Sequence, residues 1–316
     1  YKRQVQTRAG KQVVDWVENR DTIEGLFQML ADAIRPSSRF FRLDQELIYL
    51  EPGGGPTPVN ERNLSGLLQT RVELRYLRDT DEGTVFVKYD VLPGDLSRAF
   101  VSSPDVLRQL PVLRMYTRTP VFDRSWRFVG TPGYDLESGI FYDGPPVSPV
   151  AGLQHLEAVL RDFHWQARVD LVNFVGALLT ALTMPHWGGG HPFLAINGNK
   201  PGVGKSTLAR VLGMLVEGAV PCTLTYTPDE AELEKQPQRR TVAPRIEAGD
   251  RIVVLDNVKT SRPIESAVLE RSVTDARLNF RRLGSNASIT RPQNDLLLCL
   301  TMNLTQLGPD LRRRAL

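Results

Sequence analysis

The chain is poor in cysteine and histidine, with two and four residues among 316. Cys222 and Cys299 both lie in apolar runs, VPCTL and LLLCL. That usage excludes a disulfide framework and reads as buried free thiols in a reducing, cytoplasmic setting. His155, His164, His186 and His191 have no cysteines at zinc-finger spacing, so no structural zinc is expected. Long hydrophobic runs are also missing. The best stretch, LVNFVGALLTALTM at 171–184, is shorter than the ~20 apolar residues of a spanning helix. It also follows Arg168 and Asp170, so no membrane partner is expected, and the residues at hand carry no signal-peptide pattern. Neither sign of charge dominates: 39 Lys and Arg stand against 36 Asp and Glu, a net charge of +3. Such a balance permits nucleic-acid contact without requiring it. What remains is an ordinary soluble composition, 41% hydrophobic and 24% charged, with room for about two domains.

The richest local signal is GNKPGVGKS at 198–206. It follows the apolar segment FLAIN (193–197) and leads into TLARVLGMLVEG (207–218), which reads as a helix. A strand, a glycine-rich turn, Lys-Ser and a helix form the layout of a phosphate-binding loop. Gly202 and Gly204 let the backbone curl into a nest of N–H groups, and the helix N-terminus adds partial positive charge. Asn199, Pro201, Gly202, Val203, Gly204, Lys205, Ser206 and Thr207 are the expected contacts to ATP. Lys205 would reach the β- and γ-phosphates, and Ser206 would ligate Mg²⁺. The usual spacing places a glycine at 199; here Asn199 follows Gly198. Asn tolerates left-handed backbone angles better than most residues. The alternative is a chance glycine-rich turn.

Around this motif the chain divides. Residues 1–20 are polar and basic and read as an extension or linker. Residues 21–150 read as a smaller α+β domain, with a helix at 22–34, strand-like runs at 39–50 and 84–91, a loop at 51–58 and a helix at 103–109. DGPPVSP (143–149) reads as a linker. Residues 152–184 read as helical, ended by Pro185, within a connector that runs to 192. From 193 to 316, strands and helices alternate as in an α/β fold with a parallel sheet and covering helices. The chain opens on Tyr1 and stops at LRRRAL, and is read as part of a longer protein.

Three further segments complete the candidate site. RIVVLDNV (251–258) reads as a buried strand delivering Asp256 to the sheet edge, where a carboxylate would hold Mg²⁺. Asn257 follows, where many such ATPases carry a water-polarising Glu, and Asn cannot serve as a base. The acidic run 228–235, with Glu230, Glu232 and Glu234, could supply one or could be a solvated helix. DLLLCLTMN (295–303) ends in Asn303, an amide suited to orient a water. PDLRRRAL (309–316) carries Arg313 and Arg314, better placed for a neighbouring subunit's nucleotide than for their own, or else solvated. Between Asp256 and Asn303, a helix at 264–276 precedes LNFRRLGSNASITRP (278–292), a hairpin signal turning at Gly284-Ser285-Asn286. Arg281, Arg282 and Arg291 there suit sequence-independent phosphate contacts; Phe280 is its one aromatic candidate.

This order of motifs resembles the AAA+ fold, and more closely the phage- and plasmid-borne primase-helicase family with its superfamily-three-like relatives. TPGYDLESGIFYDGP (131–145), LDNV followed by RRLGSN, and MNLTQLGPDLRRRAL (302–316) resemble that family's motifs. The resemblance covers about 85–316. It implies a ring, expected to be a hexamer, that hydrolyses ATP with Mg²⁺ and moves along DNA, expected to be single-stranded, while a mobile element replicates. On that pattern Lys205, Ser206 and Asp256 hold nucleotide and metal, Asn303 senses, Arg313 or Arg314 acts in trans, and the 278–292 hairpin meets DNA. Two rivals stay open. One is an ATP-binding assembly switch that clamps DNA without unwinding it, favoured by Asn199 and Asn257. The other is a small-molecule kinase.

Overall fold

The computed structural model describes residues 11–316 apart from 18–19, 36–38, 44, 52–54, 82, 90–91, 187–188, 201, 232, 234–250, 277, 282–287, 292–293 and 295. The side chains of 55, 88–89, 185, 278–281 and 288–291 also lie outside the description. The described chain separates into two compact units, Tyr1–Tyr116 with Tyr134–Phe141, and Thr117–Gly133 with Tyr142–Leu316. The division therefore falls earlier than the linker at 143–149, and the helices of the expected connector belong to the second unit.

In the first unit run β1 (Gln12–Val17), α1 (Ile23–Ile34), β2 (Phe40–Leu43), β3 (Glu46–Glu51), β4 (Gly55–Pro58), α2 (Leu64–Gln69), β5 (Val72–Thr80), β6 (Gly83–Tyr89), α3 (Gly94–Ser102) and α4 (Pro104–Gln109). β1 lies parallel to β5, and β6 antiparallel to it. β2, β3 and β4 form an antiparallel sheet with β4 at its edge. α1 starts at the Thr22 cap, whose Oγ1 accepts from the Gly25 N–H, and buries Leu26, Leu30 and Ile34 at helical spacing. Residues 12–17, read as part of a polar extension, are thus a strand. Residues 55–58, read as loop, are also a strand; Pro56 and Pro58 are tolerated because the strand is an edge.

The junction carries β7 (Met115–Thr117), β8 (Val121–Phe122), β9 (Phe128–Val129), β10 (Gly133–Asp135) and β11 (Ile140–Tyr142). The second unit continues with α5 (Gln154–Arg161), α6 (Arg168–Thr183), β12 (Leu194–Gly198), α7 (Lys205–Glu217), β13 (Cys222–Thr225), β14 (Ile252–Val258), α8 (Ala267–Thr274), β15 (Leu278–Arg281), β16 (Ser288–Arg291), β17 (Leu297–Asn303) and α9 (Pro309–Arg312). The stretch read as helical over 152–184 holds two helices, α5 and α6. The Asp170 carboxylate accepts from the Ala167 N–H at 2.8 Å and starts a second helix there.

Four parallel strands form the sheet of this unit, in the order β12-β17-β14-β13. Their apolar runs are continuous because both faces are covered. Ile252, Val254, Leu297 and Cys299 pack with residues of α6 and α7. Val253, Leu255, Leu298 and Leu300 pack on the other face with residues of α8. Alternation along β14 and β17 therefore feeds two cores, and only the strand ends are left for polar chemistry. No helix among the described residues is long and apolar enough to cross a membrane.

Candidate functional site at the sheet edge

The strands of the second unit end together. Gly198 pairs in register with Asn303, and Thr225 with Asp256. β17 lies between β12 and β14, so Asn303 emerges between the glycine-rich turn and the Asp256 strand. The ends are tied: Leu304 N–H donates to Gly198 O at 3.2 Å, Asn197 Nδ2 to Thr305 O at 3.2 Å, and Thr305 Oγ1 to Val258 O at 3.1 Å.

After β12 the chain turns into α7 within a few residues. Gly202 and Gly204 take the left-handed conformation, with φ of 77° and 87°, which a Cβ would oppose. Gly204 is the N-cap of α7, and no side chain caps that helix. The first-turn N–H groups of Lys205, Ser206 and Thr207 are thus left to solvent or an anion. Asn199 is not among the described residues with positive φ, so its tolerance of left-handed angles is not what the turn uses. The smallness of Gly198 matters instead. A Cβ there would lie 3.0 Å from Lys205 Cδ and 3.1 Å from Nζ, so the lysine side chain lies across this glycine. Lys205 Nζ donates to Lys200 O at 2.8 Å. Val203 is half exposed, and Pro201 lies outside the described residues.

Asp256 gathers the rest. Its Oδ1 accepts from Ser206 Oγ at 2.7 Å and from Thr301 Oγ1 at 2.5 Å. Thr301 Oγ1 in turn accepts from the Asn257 N–H at 2.8 Å. Burial pushes the Asp256 carboxyl up. The hydroxyls of Thr301 and Ser206, the Asn257 N–H and the charge of Arg210 together outweigh burial and hold it below the usual carboxylate range. Asn257 sits in the left-handed region, φ 54°, where the β14–β17 register shifts between Leu255 and Val258. Its Oδ1 accepts from Asn303 Nδ2 at 3.2 Å, while Asn303 Oδ1 is buried without a hydrogen-bond partner.

Thr301, Gly198 and Arg210 belong to this constellation and were not anticipated. Thr301 had a signal: it is the lone hydroxyl inside an otherwise apolar strand, two residues before Asn303 and on the same face. Glu230 does not face the site. Its carboxylate accepts from the Val268 N–H at 3.1 Å, at the start of α8. Glu232 and Glu234 lie outside the described residues.

Arg313 and Arg314 are placed at the opposite end of β12. Phe193 N–H donates to Arg314 O, Leu316 N–H to Phe193 O and Ala195 N–H to Leu316 O, so the segment lies parallel to the start of the strand whose other end is Gly198. The Arg313 guanidinium is exposed and pairs with Asp310; Arg314 Nε is buried without a hydrogen-bond partner. In the hairpin, β15 and β16 are antiparallel, with Arg281 opposite Ser288 and Arg291 opposite Leu278. Arg282, the turn and these side chains lie outside the description.

No protein-family model matches the chain, and no curated protein matches its sequence. The donor set at the edge, one ionised carboxylate and one aliphatic hydroxyl, is all hard oxygen. That suits Mg²⁺, which takes one or two carboxylates and fills its remaining positions with water and phosphate. Among the described residues no group of three or more His, Cys, Asp and Glu side chains is gathered.

Proposed function

We propose that the chain is a P-loop ATPase of the AAA+ type that couples ATP hydrolysis to movement along DNA, and that it works as a ring, a hexamer on the resemblance, in replication of a mobile element. One observation carries the reading. Ser206, at the first turn of an uncapped helix, and Asp256, at the end of a buried strand, share a 2.7 Å hydrogen bond beside a left-handed Gly202/Gly204 turn. A strand end, a nest and a carboxylate–hydroxyl pair converge at one edge of a parallel sheet, where ligands of such sheets bind.

On this reading Gly202 and Gly204 shape the cradle, with Asn199, Pro201, Val203 and Thr207 around it. Lys205 exchanges the Lys200 carbonyl for phosphate oxygens. Ser206 and Asp256 hold Mg²⁺, which would neutralise charge on the phosphates when bound. Thr301 orients Asp256, and Asn303 offers its unpartnered Oδ1 to the attacking water. Arg313 or Arg314 serves the nucleotide of a neighbouring subunit, because both lie at the far end of β12 from their own turn. In well-studied nucleotidases an arginine given in trans accelerates hydrolysis ~10³–10⁵-fold. Arg281, Arg282 and Arg291 hold the strand through its phosphates.

A second reading has its own observation. Asn257 stands beside Asp256 with its amide tied to Asn303, and Glu230 is engaged at the start of α8, so neither position offers a free carboxylate to an attacking water. An ATP-gated clamp that turns over slowly fits that arrangement. Hydrolysis with and without single-stranded DNA, beside Lys205→Ala, separates the two. DNA-stimulated turnover that the variant abolishes supports the motor. ATP-dependent assembly without turnover supports the clamp. No nucleotide binding by folded protein removes both.

A further inference from the structure

The hairpin of β8 and β9 lies outside the ATPase site and carries an unusual tip. Asp123 N–H donates to Arg127 O and Trp126 N–H to Asp123 O, each at 2.9 Å. The Asp123 carboxylate, itself buried, accepts from the N–H groups of Ser125 and Arg127 at 2.8 and 2.9 Å. This is a three-residue hairpin loop whose last position needs a left-handed residue, a place that favours Gly or Asn. Trp126 occupies it, with φ 62°. A bulky residue there is strained, and the Asp123 hydrogen bonds fix the turn that places it.

The strained residue is also exposed and stacked. Trp126 is 59% exposed. Its ring stacks on His186, with centroids 3.8 Å apart and planes 9° apart. His186 Nε2 is buried without a hydrogen-bond partner, so the imidazole meets the indole as a flat support. One indole face is covered and the other is left to solvent. Phe122, 42% exposed, lies 6.4 Å from it and 5.6 Å from Phe128. In the sequence Arg118 and Arg124, both exposed, alternate with these rings, while Arg127 pairs with Asp123, the one acid of the segment.

We propose that Trp126 is a nucleobase-stacking platform for single-stranded nucleic acid, with Phe122 beside it and the exposed Arg118 of the same segment adding positive charge for the phosphates. An exposed indole face in an arginine-bearing segment is a combination that binds bases regardless of sequence. It supplies the aromatic surface that the 278–292 segment lacks apart from Phe280. The proposal rests on the reading that the chain handles nucleic acid.

The test is fluorescence anisotropy of labelled dT20, rU20 and an abasic 20-mer with the 316-residue chain. Wild type should prefer dT20 or rU20 to the abasic strand, and the better of the two names the sugar. Trp126→Ala should weaken that binding about tenfold, the scale of one stacked base. It should erase the preference over the abasic strand and leave the salt dependence set by phosphate contacts unchanged. Trp126→Phe should keep most of the binding. Trp126→Gly, which removes the left-handed strain, should melt no lower than wild type while binding as weakly as Trp126→Ala; this separates lost stacking from lost folding. Equal binding by wild type and Trp126→Ala, or by dT20 and the abasic strand, overturns the platform and leaves DNA handling intact. Failure of wild type to bind any strand while it hydrolyses ATP overturns both.

Discussion

Asp256 carries three hydrogen-bonding groups within one residue's reach, and its charge state links the site to stability. Its folded carboxyl lies below the ordinary range. The stability this contributes is present above about pH 4, the ordinary carboxylate value, and is lost as pH falls through the depressed folded value. Asp256→Asn should therefore flatten the acid limb of stability below about pH 4, read by denaturant unfolding across pH. Thr301→Val should move the same carboxyl back up and leave the Asn257 N–H without its partner. The expected loss is about 1–2 kcal/mol of unfolding free energy. Gly198→Ala tests the lysine. A Cβ 3.0 Å from Lys205 Cδ must displace that side chain, and ATP binding should weaken about tenfold, as for a charged hydrogen bond made poorly. These contacts were unevenly legible. Lys205, Ser206 and Asp256 announce themselves by motif. Thr301 is a single hydroxyl in a strand, and the need for a small residue at 198 depends on where a lysine seven positions on folds back.

At the scale of elements, the second unit's sheet was readable because both its faces are buried. Ile252–Leu255 and Leu297–Leu300 need apolar residues at every position, and such runs stand out. The first unit hid its strands for the opposite reason. β1 mixes polar and apolar residues and gains its place by pairing with β5, sixty residues further on; no local pattern announces that. β4 is written in Gly, Pro and Thr. The strain at strand ends was equally invisible. Leu304, directly after Asn303, has φ 52° and is 73% exposed, so it gains little burial to offset a left-handed backbone. Leu304→Gly should raise stability by about 1 kcal/mol, measured by denaturant unfolding. If the strain serves to hold Asn303 in place, the same variant should hydrolyse ATP more slowly.

Across the whole molecule, the proposal separates the two halves of one catalytic centre. Lys205 and Asp256 lie at one end of β12 and β14, and Arg313 and Arg314 flank the other end of β12. If one protomer's arginine serves its neighbour's nucleotide, Lys205→Ala and Arg313→Ala,Arg314→Ala proteins should each be inactive alone and regain hydrolysis when mixed. No recovery in mixed assemblies would place the arginines outside the chemistry. The sheet offers its own reporter. Cys299 is fully buried at the centre of β17, and burial together with the Asp256 charge pushes its thiol well above the usual range. Alkylation at Cys299 should follow opening of the sheet alone. Mg-ATP, by favouring the closed form, should slow it.

The central claim is that Ser206 and Asp256 hold a metal–nucleotide pair at the sheet edge. Calorimetric titration of ATP into wild type, Ser206→Ala and Asp256→Asn, with and without Mg²⁺, tests it directly. The account predicts that Mg²⁺ tightens ATP binding to wild type and that either substitution removes most of that gain while the metal-free affinity stays close to wild type. ATP affinity that ignores Mg²⁺ in wild type, or keeps its full Mg²⁺ dependence in both variants, would contradict it.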